Sequence, residues 1–321
     1  MATIAMREAD RAEISILVDN TSDLLLSDTA CAKRLKMHPP AAPLAEHGLS
    51  CLVTVWAGAE KHTILMDAGV SGSCMLHNAA LLESSASSTL GTLAHRVEDV
   101  ESVVLSHGHF DHFHGLPPFL LRIGRKIPLI LHPDAFSERR ARPGAHHIRP
   151  LPSLQRESLE ASGAQLDERD QPSTLADGLI LVTGQVERKT DFERGSPGLE
   201  ARVGDRWISD PFHDDQGIAI NLREKGLIVL SGCSHAGIIN TVYHVRNVTG
   251  NERVHAVMGG FHLGGKSESL IEPTIDAMVG INPDIVVPMH CTGWKAVQRF
   301  AEVMPDAFVF NCVGTTYLFG K

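Results

Sequence analysis

The sequence predicts an α+β chain folded as an αββα sandwich, two mixed β-sheets face to face with helices outside. Two observations predict it. Short apolar, β-branched runs alternate with helical patterns along most of the chain, and such alternation requires sheets covered by helices. The second half repeats the alternation of the first, with no sequence repeat and no linker between independent units, so residues 1–321 read as one domain.

The elements follow in order. Residues 13–18 read as a strand and 19–23 as a loop; 24–43 is the first stretch without a clear pattern, and Pro39, Pro40 and Pro43 exclude a continuous helix there. Strands at 49–56 and 63–66 form a hairpin around Gly58, and the second ends in Asp67-Ala68-Gly69, an acid at a strand end followed by a Gly turn. Helices are expected at 77–82 and 90–97, joined by a Ser-rich link, and a strand at 102–105. The helix at 116–124 carries prolines in its first turn, where a missing N–H is tolerated. A strand at 128–131 and a short helix at 134–142 lead into a Pro-, Arg- and Glu-rich stretch, 143–172, with one helical candidate at 153–162. After a strand at 179–183, residues 184–206 are polar with Gly and Pro, a long loop of the kind that serves as a lid or binding loop. A hairpin of 217–222 and 226–230 turns at Arg223-Glu224-Lys225. Helices at 237–248, 267–279 and 292–303 then alternate with strands at 254–258 and 284–287, and strands at 307–310 and 315–319 finish the pattern.

Composition narrows the class. Hydrophobic content of 43% and charged content of 21% are those of a globular domain, and a net charge of −9 speaks against a nucleic-acid partner. Arg139, Arg140 and Arg142, with Arg149 nearby, read as a solvated loop. No apolar run is long enough to span a membrane, and the first ten residues lack the apolar stretch of a signal peptide. Six scattered cysteines without C-x-x-C pairs suit a reducing compartment, so the cytoplasm is the expected location. The expected partner is a small-molecule substrate; nothing in the sequence sets an oligomeric state.

The chemistry concentrates in Ser106-His107-Gly108-His109-Phe110-Asp111-His112-Phe113-His114-Gly115, directly after the apolar run Val103-Val104-Leu105. A His-rich surface loop is the bland alternative, but an internal cluster interrupted by Asp, Phe and Gly is not a tag. Several imidazoles and a carboxylate aimed at one point are what a zinc-type metal needs. Asp67, His107, His235, His262 and His290 each follow the end of an expected strand, where loops converge over a rigid sheet. A first metal could take His107 and His109 with a distant His, and a second Asp111 and His112 with another. Asp67 would accept a hydrogen bond behind the ligands. His114 is left out of the ligand set.

The pattern H-x-H-x-D-H at 107–112 resembles the signature of the metallo-β-lactamase-fold superfamily. Further motifs are Glu46-His47-Gly48-Leu49-Ser50, His77-Asn78, Gly232-Cys233-Ser234-His235-Ala236-Gly237-Ile238-Ile239-Asn240-Thr241, Gly259-Gly260-Phe261-His262-Leu263 and Pro288-Met289-His290-Cys291-Thr292-Gly293. Together they are similar to the branch that includes the archaeal dihydropterin ribofuranosylaminobenzene phosphate synthase, from about residue 50 to 319 and more weakly across 143–172. The resemblance implies metal ligation by His107, His109, Asp111, His112, His235 and His290, with one or two divalent ions: zinc, or alternatively iron or manganese. It places Asn240, His262 and Thr292 near the pocket. Glu46, His47, Asn78 and Cys233 join Asp67, Asn240 and Thr292 as candidates for contacting substrate or supporting the ligands. Many superfamily hydrolases carry Gly-Asp where this chain has Gly232-Cys233, which removes the bridging carboxylate; His235 is expected to replace the lost ligand. The superfamily's preceding histidine has only His213 and Asp214 as weak counterparts.

The first functional expectation is a metal-dependent hydrolase in which a metal-bound hydroxide attacks an ester, lactam, phosphoester or other activated centre. Asp111 would orient the water or hold the second metal, and His262 would donate to the developing charge. The alternative is a group-transfer synthase acting on a pterin- or phosphate-containing substrate, with Arg188, Lys189 and Lys266 as phosphate-binding candidates. A non-catalytic, metal-stabilised binding protein is the third; structural zinc sites have four closed ligands, whereas the candidates here exceed four.

Overall fold

The structure, a computed structural model, describes residues 3–36, 41–86, 96–144 and 147–320. Two large mixed sheets stack face to face. In the eight-stranded sheet the order is Ala164–Glu168, Ile127–Leu131, Ser102–Val104, Glu60–Met66, Ser50–Ala57, Arg11–Val18, Thr316–Gly320 and Ala32–Lys33. Its first four strands run parallel to one another and the rest pair antiparallel. The second sheet runs Ser173–Leu175, Ile180–Val182, Gly217–Leu222, Gly226–Ser231, Val254–Gly260 and Ile285–Met289, with Glu8–Ala9 added beside Gly217–Leu222.

Alternation along the strands builds the layers. Ile14, Ile16, Val53, Ile64, Met66 and Val104 of the first sheet meet Ile180, Ile218, Ile220, Ile228, Leu230 and Met258 of the second in the central core. The intervening Leu17, Leu52, Leu65 and Val103 point outward, under helices Gly72–Ala86, Leu116–Ile123 and Arg156–Ser162. On the other side Ala219, Val229 and Val257 face helices Ile238–Thr249, Ile271–Ile281 and Trp294–Val303. Both faces of each sheet are therefore dry, which is why its strands read as continuous apolar runs.

Several local expectations change. The region 134–142 is not a helix: a short 3-10 turn, Pro133–Phe136, gives way to a strand, Arg139–Gly144. Long-range pairing overrides local propensity here, because Arg139–Ala141 pairs antiparallel with Leu199–Ala201. Strands Leu199–Val203 and Arg206–Ser209 likewise replace much of the loop expected at 184–206, and His147–Pro150 falls in the stretch 143–172. These four strands form a third, antiparallel sheet. Nor is Arg139 solvated: its buried guanidinium donates to Asp210 and Asp214, each at 2.7 Å. Residues 307–310 supply one bridge, Phe308 to Val286, rather than a strand. The helix expected at 267–279 starts later, as Ile271–Ile281 behind a 3-10 turn, Gly265–Leu270. That expected at 77–82 is the middle of Gly72–Ala86, whereas 90–97 lies almost wholly outside the described residues.

Candidate metal centre

Five strand ends deliver the centre. Met66 hands over to Asp67, Val104 to the His-rich loop, Ser231 to Cys233 and His235, Gly260 to His262, and Met289 to His290. Asp67, Ser234, His262 and His290 all take left-handed backbone, with φ of 59°, 57°, 45° and 45°. Strain of this kind persists only where surrounding structure enforces it, and it collects at functional sites. The His-rich loop lies flush on the molecule: a Cβ at Gly108 would stand 2.0 Å from the Ala135 carbonyl oxygen, so only glycine fits. Its N–H donates to Asp214 at 2.8 Å, tying the loop to the carboxylate that also holds Arg139.

The structure brings His107, His109 and His235 together as one buried donor set, and Asp111, His290 and His47 as a second. A third set, His107, His112 and Cys233, lies between them. His235 Nε2 is 3.1 Å from His109 Nδ1, and Asp111 Oδ2 is 3.3 Å from Nε2 of both His47 and His290. Cys233 Sγ stands 3.1 Å from His112 Nε2 and shares a donor set with it and His107. His235 thus joins the first set, and Cys233 is close enough to join as well.

Four of these rings are held through Nδ1. His107 Nδ1 lies 2.9 Å from Ser106 Oγ, and His112 Nδ1 2.6 Å from Asp67 Oδ2. His235 Nδ1 lies 2.7 Å from Ser196 Oγ, and His290 Nδ1 3.1 Å from Asn20 Oδ1. This arrangement fixes the ring and leaves Nε2 for a metal. Nε2 of His107 and of His109 is buried with no hydrogen-bond partner, an expensive state for a polar atom that a coordinated ion relieves. Burial pushes His107, His109 and His235 far below the usual imidazole pKa, so they stay neutral and able to coordinate. Burial alone would raise Asp111, but His112, His290 and His47 outweigh it and hold the carboxylate charged. The residues present fit one or two divalent ions.

Asp67 lies behind the His-rich loop, accepting from Ser106 N and Ser106 Oγ, both at 2.7 Å. Four motif residues serve the backbone instead. Glu46 accepts from Val70 N and Ser71 N beside the start of helix Gly72–Ala86, and Asn78 bonds to Leu17 and Leu44. Asn240 accepts from Lys189 N and Thr190 N, and Thr292 links Phe261 N to the Met289 carbonyl. His114 is exposed, away from the centre. Neither weak counterpart joins the donor sets among the described residues: Asp214 pins the loop, and His213 is exposed beside Asp134.

Sequence reasoning missed Ser196, Asn20 and Phe212, whose ring stacks on His235 at 4.2 Å. It also gave no role to Cys291, which shares a donor cluster with Cys233 and His262; its position directly after His290 was the available signal. The centre opens into a cavity of about 580 Å³. His47, His262 and Cys291 stand on its wall, and Ala141, Arg149, Leu151 and Leu199 of the third sheet and its edge close the far side.

A protein from Methanocaldococcus jannaschii, described as 7,8-dihydropterin-6-methyl-4-(beta-D-ribofuranosyl)-aminobenzene-5'-phosphate synthase, is 33% identical over 82% of this chain and 87% of its own length. The family model described as a beta-lactamase superfamily domain matches residues 62–183. The chain belongs to the metallo-β-lactamase superfamily. An uncharacterised protein of the same archaeon is 29% identical over 84% of this chain and 92% of its own length. A crystal structure described as a metal-dependent hydrolase of the beta-lactamase superfamily superposes with a TM-score of 0.68 at 23% identity, covering 95% of this chain and 98% of the other. It shares the metallo-β-lactamase fold.

Proposed function

We propose that the chain acts, as a single metallo-β-lactamase-like domain, as a metal-dependent hydrolase of a small-molecule ester, lactam, phosphoester or similar activated centre. The observation that carries this is the open face of the donor cluster: adjacent His/Asp sets share one wall of a cavity large enough for a small substrate. A divalent ion, zinc in our reading, supplies Lewis acidity toward a substrate oxygen and lowers the pKa of water. His107, His109 and His235 would hold one ion; Asp111, His112 and His290 would hold a second, with Cys233 between. Asp111 stays ionised and is within reach of a water in the cavity, so it orients that water or takes its proton when only one ion is present. His262 stands on the wall beside His235, ring centroids 4.3 Å apart, and donates to the oxygen on which charge develops. Burial lowers its pKa, but Cys291, with smaller contributions from Asp215 and Asp111, raises it above the ordinary value, which favours the donor form. All six cysteines are free, which supports a cytoplasmic setting.

The test is a panel of chromogenic esters, lactams and phosphodiesters, assayed on metal-analysed protein with and without chelator. Turnover that chelator abolishes and zinc restores is expected. No turnover at full metal occupancy would sink the hydrolase reading. A second reading, group transfer on a phosphate-containing substrate, is favoured by the name of the 33% identical relative. Reaction in ¹⁸O-water separates the two, because only hydrolysis places solvent oxygen in the product.

A further inference from the structure

The segment 210–216, which leads into strand Gly217–Leu222, supplies no proposed metal ligand, yet it bonds to both loops that make the first donor set. Phe212 is buried, and its ring stacks on that of His235 with centroids 4.2 Å apart and planes 8° from parallel. The same ring stands edge-on to His109, with centroids 5.7 Å apart. Its backbone is left-handed, φ 49°, a conformation that a bulky side chain keeps only where the surroundings enforce it. They do so from both sides: Phe212 N donates to Asp210 Oδ1 at 2.9 Å, and the Phe212 carbonyl accepts from Asp215 N at 3.3 Å. The residues that follow reach the ligand loops. Asp214 accepts from Gly108 N, while Gln216 donates through N to the Ser106 carbonyl at 3.0 Å and through Nε2 to the Leu105 carbonyl at 2.8 Å. Asp215, buried between them, turns to the other loop and accepts from Ala236 N, next to His235, at 2.8 Å.

We infer that Phe212 and Asp215 are positioning residues of the first metal set, holding His235 against His107 and His109. The need for them follows from the topology. His107 and His109 follow strand Ser102–Val104 of the eight-stranded sheet, whereas His235 follows strand Gly226–Ser231 of the other, so no shared strand sets their separation. The work on His235 is divided. Ser196 Oγ holds Nδ1 and so aims the ring, the stacked face of Phe212 sets its plane, and Asp215 fixes the backbone from which it springs. Both residues act through His235 and neither is in the proposed ligand set. The inference rests on the first donor set of the proposed function and on no substrate or reaction class.

Zinc competition with a chromophoric chelator, run on the full chain, tests this, with the first site defined as the binding step that His235→Ala removes. Asp215→Ala and Phe212→Leu should each weaken that step by about tenfold or more and leave the remaining zinc affinity as in the parent protein. Asp215→Asn keeps a carbonyl oxygen for Ala236 N and should restore the parent's affinity, a rescue that separates the hydrogen bond from the charge. Should Asp215→Ala not fold, Asp215→Asn and Phe212→Leu against the parent still decide. A folded Asp215→Ala or Phe212→Leu protein that binds zinc as the parent does would overturn the role of the residue changed, and an Asp215→Asn protein without rescue would overturn that of Asp215. Equal weakening of every zinc step would overturn both, since it marks a general loosening. A parent protein with no step sensitive to His235→Ala would instead overturn the first donor set, and the inference with it.

Discussion

Asp67 offers the sharpest test of the metal centre, because its carboxylate serves three buried donors at once. Ser106 N and Ser106 Oγ lie at 2.7 Å and His112 Nδ1 at 2.6 Å, and the carboxylate is fully buried. Alanine would strand all three donors at about 1–3 kcal/mol each, enough to threaten the fold. Asparagine is the informative change, since it keeps the shape and removes one acceptor. If its amide NH₂ faces His112, the ring must accept at Nδ1 and carry its proton on Nε2, the nitrogen directed at Cys233 and the metal pocket. If the amide turns the other way, its NH₂ opposes the Ser106 N–H and leaves that donor unpaired. Either outcome costs about 1–3 kcal/mol of stability or about 10–100-fold in affinity for the ion held by His112. Zinc-buffer titration with elemental analysis should show Asp67→Asn retaining the ion at His107, His109 and His235 while the second site weakens. Unchanged affinity at both sites together with an unchanged denaturation midpoint would refute the reasoning.

Other outcomes follow from the same geometry. Ser196→Ala removes the hydroxyl behind His235 and should weaken zinc at the first site by about 10–100-fold, read by competition with a chromophoric chelator. Cobalt-loaded protein should show a sulfur-to-metal charge-transfer band that Cys233→Ser abolishes; a band that survives would place Cys233 outside the ligand set. Gly108→Ala drives a Cβ to 2.0 Å from the Ala135 carbonyl and should cost about 1–3 kcal/mol or more in urea denaturation. Burial holds the Glu193 carboxyl up at about 7, against an ordinary 4.5, despite the N–H groups of Ile239 and Asn240. Between those values the folded chain keeps a proton that the unfolded chain releases. This stabilising contribution is complete below pH 4.5 and declines by about 3 kcal/mol as the pH rises to about 7. Glu193→Gln should flatten that slope in denaturation measured across the interval; an unchanged slope would show that another group titrates.

What the sequence made legible was local. Four side chains of the proposed set lie at fixed short spacings, so His107, His109, Asp111 and His112 announced themselves; Asp67 stood directly after an apolar strand, and the other strand ends pointed to His235 and His290. The two large sheets were equally readable, because strands dry on both faces are continuous apolar runs. The third sheet was not. Arg139–Ala141 finds Leu199–Ala201 some sixty residues away, and its cement is Arg140 with Glu200 and Arg139 with Asp210 and Asp214, which leaves no apolar period to read. Ser196 and Asn20 escaped for a related reason: each is an ordinary loop residue until folding sets it behind an imidazole. Asn78 and Glu46 show the converse, motif residues whose work is to satisfy backbone rather than to face the cavity.

The roof over the cavity comes from strands that contribute no residue to the proposed metal set. Exchanging Ala141, Arg149 or Leu199 would therefore reshape the cavity while leaving the proposed metal set in place. The two meet at one point. Arg139 stands on a roof strand, yet Asp214 joins it to the N–H of Gly108, so a change at that arginine reaches the His-rich loop as well.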